Sequence, residues 1–113
     1  MTGAGRLVDA LAAAGVRQLF TLSGNQILSV YDATLGRDVA LIHTRHEAAA
    51  VHMADAWGRL TETPGVALVT AGPGMLNAIS ALYGARMAES PVVLMAGASP
   101  RSRFFAPADR RVV

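Results

Sequence analysis

The residues best suited to chemistry lie in one stretch, from His43 to His52 (HTRHEAAAVH), in which a carboxylate, Glu47, directly follows a histidine. A carboxylate held in a folded site can act as a general acid or base. The same pattern also has a structural explanation. Thr44 followed three residues later by Glu47 matches a capping box, in which hydroxyl and carboxylate satisfy free backbone N–H groups where a helix begins. On this stretch alone, capping is the favoured interpretation.

Other site chemistries find less support in the sequence. His46 and His52 are too far apart for an H-E-x-x-H zinc motif, and there is no cysteine, so we expect no metal site within this chain. We interpret His52 as a packing residue on a helix face. Ser23 lacks the G-x-S-x-G elbow of a nucleophilic serine. The turn at 72–77 (GPGMLN) has Asn77 in place of the third glycine of a dinucleotide fingerprint.

The elements that must position these residues follow from hydrophobic patterning. Short apolar runs alternate with segments of helical spacing, and Gly15 and Gly36 mark two helix ends. Unbroken apolar strands indicate burial on both faces, and regular alternation with helices predicts a parallel α/β sheet with helices on both faces. The predicted helices span 3–14, 25–35, 45–61 and 74–88, and the predicted strands span 17–22, 39–44, 65–70 and 91–97.

Mostly apolar positions recur at helical spacing in the last two predicted helices. They define one apolar side on each helix. The positions are Ala49, His52 or Met53, Ala56 and Leu60 in the third helix, and Leu76, Ile79, Leu82 or Tyr83, and Met87 in the fourth.

The carboxyl ends of the four predicted strands bring the polar loops to one edge of the sheet. These loops cover 21–26, 43–47, 70–74 and 96–100, and Glu47 lies among them. Ligands of open parallel sheets bind at this edge, which favours a functional role for Glu47 over a purely structural cap. The glycine-rich turn at 72–77 could also bind an anion at the start of a helix.

Composition restricts the class of protein. A chain of 113 residues suits one domain, and its 52% hydrophobic content indicates a large aliphatic core. No apolar run approaches the roughly 18 residues of a membrane span, and Asp9 interrupts any secretory h-region, so we expect a cytoplasmic protein without membrane contact. Residues 1–100 carry six Arg against seven acids, and the other four Arg lie in the tail at 101–113. We therefore expect no nucleic-acid surface on the folded body.

Four collinear segments point to a known family. The segments 20–33 (FTLSGNQILSVYDA), 45–59 (RHEAAAVHMADAWGR), 65–85 (GVALVTAGPGMLNAISALYGA) and 90–97 (SPVVLMAG) together resemble the N-terminal pyrimidine-binding (Pyr) domain of thiamine-diphosphate enzymes, especially the acetolactate synthase-like group. The resemblance implies the thiamine-diphosphate-binding Pyr-domain fold, truncated at its C-terminal end. It assigns residues 1–100 to an incomplete Pyr domain and leaves 101–113 as an Arg-rich tail of uncertain structure.

The resemblance implies a catalytic role for Glu47. In this family the glutamate of the R-H-E motif hydrogen-bonds the aminopyrimidine ring of thiamine diphosphate. It promotes the imino tautomer, which removes the proton from the thiazolium carbon. His46 would orient Glu47 or close the pocket.

Two loops would supply the rest of the cofactor-binding residues. Pro73, Gly74 and Asn77 would line the aminopyrimidine pocket. A second loop, formed by Ser23, Gly24 and Asn25, stands where the family usually has Pro-Gly-Gly, and it would approach the reacting centre.

The chain also departs from the family pattern. The family binds diphosphate and Mg²⁺ through a G-D-G motif in a separate domain, and no G-D-G occurs here. We therefore expect the diphosphate-binding domain to come from another subunit or from a missing C-terminal part, within a homo-oligomer. In the tail, Ala106 and Pro107 stand where the synthase-like members have Gln and Glu.

The implied function is the pyrimidine-binding portion of an enzyme acting on 2-oxo acids, by acetolactate synthase-like carboligation or decarboxylation, and inactive alone. Three alternatives stay open. The first is a non-catalytic assembly or regulatory subunit with the same fold. The second is another thiamine-diphosphate enzyme, such as a 2-oxo-acid decarboxylase or an acyl-CoA lyase. The third is a nucleotide-binding doubly wound domain.

Overall fold

The computed structural model describes residues 1–100 as one alternating α/β unit. In chain order, the elements are α1 (Gly3–Ala13), β1 (Gln18–Thr21), a 3₁₀ turn (Asn25–Ile27) leading into α2 (Leu28–Thr34), β2 (Ala40–His43), α3 (Glu47–Thr61), β3 (Gly65–Val69), α4 (Pro73–Met87) and β4 (Val92–Ala96). Each predicted helix and strand is confirmed. The bounds differ from the prediction by at most two residues, except that α2 begins three residues later because the 3₁₀ turn precedes it. The predicted tail at 101–113 lies outside the described residues.

The four strands form a single parallel sheet in the order β2-β1-β3-β4. In β1, Leu19 lies beside Leu41 of β2, and Phe20 lies beside Ala67 of β3. Ala67 in turn lies beside Leu94 of β4. Because every strand runs the same way, all four carboxyl ends reach one edge, as predicted.

Helices cover both faces of this sheet with two separate hydrophobic cores. One core, formed by Val8, Leu19, Ile27, Val30, Val39, Val66 and Leu68, lies under α1 and α2. The other, formed by Phe20, Ala50, Val51, Ala54, Ala67, Val69, Ala78 and Ala81, lies under α3 and α4. Large aliphatic side chains dominate the first core, whereas alanines dominate the second.

Local sequence signals account for the ends of the first two helices. Thr2 caps α1, because its Oγ1 accepts a hydrogen bond of 3.0 Å from the Gly5 N–H. Gly15 and Gly36 have φ angles of +87° and +73°, which glycine adopts without a steric cost. Arg37, in the turn after α2, donates to Asp9 of α1 at 2.6 Å and holds the pKa of that carboxyl below its ordinary value.

The prediction that all strands are buried on both faces is right for the inner strands and wrong for the outer ones. β3 is buried along its whole length and β1 over its last three residues, whereas β2 is largely exposed and β4 is only partly buried. Their position explains the difference, because each outer strand has a neighbour on one side only. Apolar content alone does not distinguish an inner strand from an edge strand.

Apart from Leu82, which is partly buried against the core, the large residues on the predicted apolar sides of α3 and α4 face away from it. α3 buries Ala50, Val51, Ala54 and Gly58, and α4 buries Gly74, Ala78, Ala81 and Ala85. Leu60, Leu76, Tyr83 and Met87, on the predicted sides, are instead 63–85% exposed. His52 is also exposed, so its interpretation as a packing residue is wrong. The two helices approach each other and the sheet through small residues, which leaves no room for large side chains between them.

Within residues 1–100, no helix has both the length and the apolar character that crossing a lipid bilayer requires.

Candidate functional site

At the carboxyl edge of the sheet, the loops that follow β1 and β3 pack together at one side chain, Thr70. A Cβ at position 24 would lie 2.4 Å from the Cβ of Thr70, and a Cβ at position 74 would lie 2.7 Å from its Cγ2. Thr70 also donates a hydrogen bond of 2.8 Å from Oγ1 to Oε1 of Gln26. Gly97, after β4, packs against the other side of Gln26. The loops that follow β1, β3 and β4 therefore meet directly.

Glu47 is the first residue of α3, and the cap before it is His46 rather than Thr44. His46 has extended backbone dihedrals, and its Nδ1 accepts a hydrogen bond of 3.1 Å from the Ala48 N–H. Thr44 instead donates from Oγ1 to the carbonyl of His46 at 3.0 Å. The predicted Thr44–Glu47 capping box is therefore wrong. Because His46 supplies the cap, the Glu47 carboxylate is free to point elsewhere.

The Glu47 carboxylate lies between α3 and α4. The residue is 8% exposed, and its Oε2 accepts a hydrogen bond of 3.1 Å from Nδ2 of Asn77. Gly74 faces the other oxygen, since a Cβ there would lie 3.4 Å from Oε1. Within residues 1–100, no hydrogen bond reaches Oε1. Because every fully buried side-chain oxygen in these residues has a hydrogen-bond partner, Oε1 is not fully buried and remains accessible.

The turn before α4 places Asn77 and Gly74 beside Glu47. Gly72 adopts a φ of +63°, a left-handed value that suits glycine, and Pro73 follows as the first helical residue. Asn77 then lies one turn further on, on the side that faces α3. The GPGMLN segment thus serves to start a helix and to orient an amide toward the carboxylate.

A chain of hydrogen bonds at the end of β1 joins that strand to α2 and β3. Thr21, at the end of β1, donates from Oγ1 to the carbonyl of Leu68 in β3 at 2.6 Å. Since that hydroxyl has one proton, Tyr31 of α2 must be the donor in its 2.7 Å contact with Thr21 Oγ1. Burial raises the pKa of the Tyr31 phenol above its ordinary value.

The predicted site residues fall into two groups. Glu47, Gly74 and Asn77 are brought into direct contact. The remaining members lie at the same edge without touching the carboxylate: Ser23 and Asn25 are exposed, Gly24 packs on Thr70, Pro73 begins α4, and His46 caps α3.

Thr70 and Gln26 belong to the site but were not predicted as site residues. Both lie in loops that the sequence assigned to the carboxyl edge. A signal was available, because a polar residue that ends an apolar strand directly before a glycine-rich turn lies where ligands of parallel sheets bind.

The described residues fit a nitrogen heterocycle better than they fit a metal ion. An accessible carboxylate oxygen beside a glycine can meet a ring nitrogen edge-on, while Asn77 fixes the other oxygen. Within residues 1–100, no three metal-ligating side chains converge. Thiamine diphosphate has such a heterocycle, and Glu47, Gly74 and Asn77 are the residues that would hold its aminopyrimidine end.

The fold and site together define a class: a parallel α/β domain that offers a buried carboxylate and a Gly-Pro-Gly turn at the carboxyl edge of its sheet. Residues 1–104 match the family described as "Thiamine pyrophosphate enzyme, N-terminal TPP binding domain". The chain belongs to this family, which confirms the resemblance, the fold class and thiamine diphosphate as the cofactor of the family.

Three curated relatives illustrate two kinds of enzyme to which the chain is similar. The chain is 43% identical over 102 residues to a "Probable acetolactate synthase" of Mycobacterium bovis, which covers 89% of this chain and 19% of that protein. It is 45% identical over 100 residues to "Acetolactate synthase, catabolic" of Raoultella terrigena, over 88% of this chain and 18% of that protein. It is 52% identical over 96 residues to "2-hydroxyacyl-CoA lyase 2" of Xenopus laevis, over 84% of this chain and 15% of that protein. The chain thus spans less than a fifth of the length of each.

Proposed function

We propose that this chain binds the aminopyrimidine end of thiamine diphosphate in an enzyme that acts on 2-oxo acids, and that Glu47 activates the cofactor. The observation that carries the proposal is the geometry of the Glu47 carboxylate. One oxygen is held by Asn77 and the other is left accessible beside Gly74. A carboxylate that served only as a cap would point at the backbone of its own helix.

The bound cofactor supplies a thiazolium carbon that becomes nucleophilic when it loses a proton. Glu47 would hold the pyrimidine ring through Oε1 and is the residue placed to exchange a proton with it. Asn77 keeps the carboxylate in one orientation by donating to Oε2. His46 caps the start of α3 and thereby fixes the backbone position from which the Glu47 side chain extends. Gly74 keeps the approach to Oε1 free of side-chain atoms.

The test compares Glu47→Gln with Glu62→Gln, an exposed carboxylate after the other end of α3. Both are measured in the protein purified with its diphosphate-binding domain, thiamine diphosphate and Mg²⁺. The readout is exchange of the thiazolium proton of the cofactor for deuterium. We expect Glu47→Gln to slow exchange by at least about 100-fold, the usual scale for losing a general acid–base group, and Glu62→Gln to leave it unchanged. Equal rates in both variants would contradict the proposed role.

The reaction has two candidates, each favoured by a relative. Likeness to the acetolactate synthases favours joining of 2-oxo acids, and likeness to "2-hydroxyacyl-CoA lyase 2" favours cleavage of a 2-hydroxyacyl-CoA. A plain 2-oxo-acid decarboxylase is a third outcome. Assays of the purified protein with pyruvate and with a 2-hydroxyacyl-CoA distinguish them: acetolactate from pyruvate supports the first, an aldehyde with an acyl-CoA fragment the second, and an aldehyde from pyruvate the third.

The partner in this proposal is a diphosphate-binding domain, supplied by another subunit of a homo-oligomer or by another part of the same protein, which would also bind Mg²⁺. Support comes from α4, whose outward side carries Leu76, Ile79, Tyr83 and Met87. Leu76 lies next to Asn77, so this apolar side is continuous with the candidate site. A partner seated there would complete the cofactor site and cover the apolar surface together.

A non-catalytic assembly or regulatory role is the alternative from another class. It predicts that Glu47→Gln changes neither the association of the protein with its partner nor any reaction rate. The cytoplasmic location stays a prediction, which cell fractionation tests. The division into a domain at 1–100 and a tail at 101–113 is also a proposal, which limited proteolysis tests.

A further inference from the structure

We propose that Thr70 is a positioning residue of the candidate cofactor site. Its side chain sets the separation between the loop after β1 and the first turn of α4, and its hydrogen bond to Gln26 holds that loop in place. The inference rests on the proposed function, because it concerns how the same site is kept in shape.

The first argument is that Thr70 fits between two glycines. A Cβ on Gly24 would lie 2.4 Å from the Thr70 Cβ, and a Cβ on Gly74 would lie 2.7 Å from the Thr70 Cγ2. Gly24 has a φ of −175°, which any residue can adopt. The absence of a side chain at position 24 is therefore required by the contact with Thr70 and not by the backbone conformation.

The second argument is that these glycines belong to the two loops that carry the candidate site residues. Gly24 lies between Ser23 and Asn25, and Gly74 faces Oε1 of Glu47. The distance between the loop after β1 and the carboxylate therefore depends on the width of the Thr70 side chain. A smaller or differently shaped side chain would let the two loops approach or shift.

The third argument is the hydrogen bond that fixes the loop laterally. Thr70 Oγ1 donates to Gln26 Oε1 at 2.8 Å, and Gln26 is held from behind by Gly97, where a Cβ would lie 2.8 Å from the Gln26 Cβ. The loop after β1 is thus confined between β3 and β4. Thr70 touches no group that would react, so its role is positional and not catalytic.

The experiment is a double-mutant cycle on cofactor affinity, which does not depend on turnover. Thr70→Val keeps the shape and removes the hydroxyl, and Gln26→Met keeps the length and removes the acceptor. The dissociation constant of thiamine diphosphate is measured by calorimetry, with Mg²⁺, in the protein purified with its diphosphate-binding domain. We expect each variant to weaken binding by about two- to tenfold, the equivalent of one hydrogen bond, and the double variant to be no worse than either.

Two further variants separate positioning from general stability. Thr70→Ser keeps the hydroxyl and removes the methyl group that faces Gly74, so the affinity it loses measures the contribution of side-chain width. Thr34→Val removes a buried hydroxyl that bonds the Tyr31 carbonyl away from the site, so it should lower Tm while leaving cofactor affinity unchanged. If Thr34→Val weakened binding as much as Thr70→Val, a general loss of stability would explain the effect and the inference would be overturned.

The remaining outcomes are equally decisive. Unchanged affinity in Thr70→Val and Gln26→Met would overturn the inference, and so would losses that multiply in the double variant. Glu47→Gln, measured alongside for thiazolium proton exchange, keeps the two proposals apart. If it abolishes exchange while the Thr70 and Gln26 variants bind normally, only the positioning role fails. If it leaves exchange intact, the proposed function fails whatever the cycle shows.

Discussion

The two helical layers that cover the sheet solve the packing problem in opposite ways. Under α1 and α2, large residues such as Leu19 and Ile27 point inward and fill the core. Under α3 and α4, alanines point inward, and large residues such as Leu76 and Tyr83 point outward. The first layer buries its large apolar side chains within the chain itself. The second is closely packed inside yet apolar outside, which is typical of a layer that a partner covers.

The largest expected effect tests how closely the second layer is packed. Gly65→Ala would place a Cβ 1.9 Å from the carbonyl oxygen of Ala54, so α3 must move away from β3. We expect the free energy of unfolding to fall by about 3 kcal/mol, at the upper end of the cost of overpacking. Urea unfolding of the chain, followed by circular dichroism at fixed protein concentration, measures it. A loss below about 1 kcal/mol would show that α3 and β3 are loosely packed.

A somewhat smaller effect tests whether the outer side of the second layer is an interface. Tyr83→Asp, on α4, should weaken association with the diphosphate-binding domain by roughly tenfold or more, the scale of an interface hot spot. The matched control is Leu35→Asp after α2, where an apolar residue is 76% exposed in the first layer. Analytical ultracentrifugation gives both association constants. Equal effects of the two substitutions would remove the distinction between the layers.

A third test adds a methyl group at Gly74 and removes one from Thr70, two neighbours at the candidate site. Gly74→Ala alone should cost about 1–2 kcal/mol, because its Cβ overlaps the Thr70 Cγ2. Thr70→Ser removes that methyl group, so the double variant should recover most of the loss. Urea unfolding of the four proteins in the cycle measures the coupling. Additive losses would mean that the two side chains do not share the same space.

The smallest effect concerns a glycine that points outward. Nothing lies within 4 Å of a Cβ at Gly84 in α4, so Gly84→Ala should stabilise the chain by about 0.5–1 kcal/mol through helix propensity alone. Thermal melting of the isolated chain detects this gain. A decrease in Tm would show that the position is already crowded in solution, for instance by a second copy of the chain.

How far the sequence predicts the structure differs between backbone and side chains. Apolar runs separated by glycines locate every element, because Gly15, Gly36 and Gly72 adopt the backbone conformations that end or begin helices. The pattern does not predict which side of each helix faces the core, because patterning assumes that the largest apolar residues point inward. In α4 the reverse holds, since Ala78 and Ala81 are buried.

The same limit applies to the candidate site. The sequence predicts that Glu47 lies at the ligand edge, because strand polarity alone determines that. It does not predict the hydrogen bond from Asn77, which joins residues 30 positions apart. Nor does it predict the contact of Thr70 with Gly24, because that contact exists only once β1 and β3 are paired. Local pattern favours the Thr44–Glu47 capping box, and the tertiary contact with Asn77 prevails over it.

The way in which the strands pair has a consequence for the order of folding. The β1–β3 ladder aligns only Phe20 with Ala67 and Thr21 with Leu68, whereas β1–β2 and β3–β4 are aligned along whole strands. The sheet thus consists of two βαβ halves, one with β1 and β2 and one with β3 and β4, each paired between strands close in sequence. The short β1–β3 pairing is the seam that joins them, and it forms only when β3 is in place. Loop-closure entropy makes such distant pairing slow to form. Because Gly24 and Thr70 lie on either side of that seam, we expect the pocket to assemble last and its amides to exchange with solvent before those of either half.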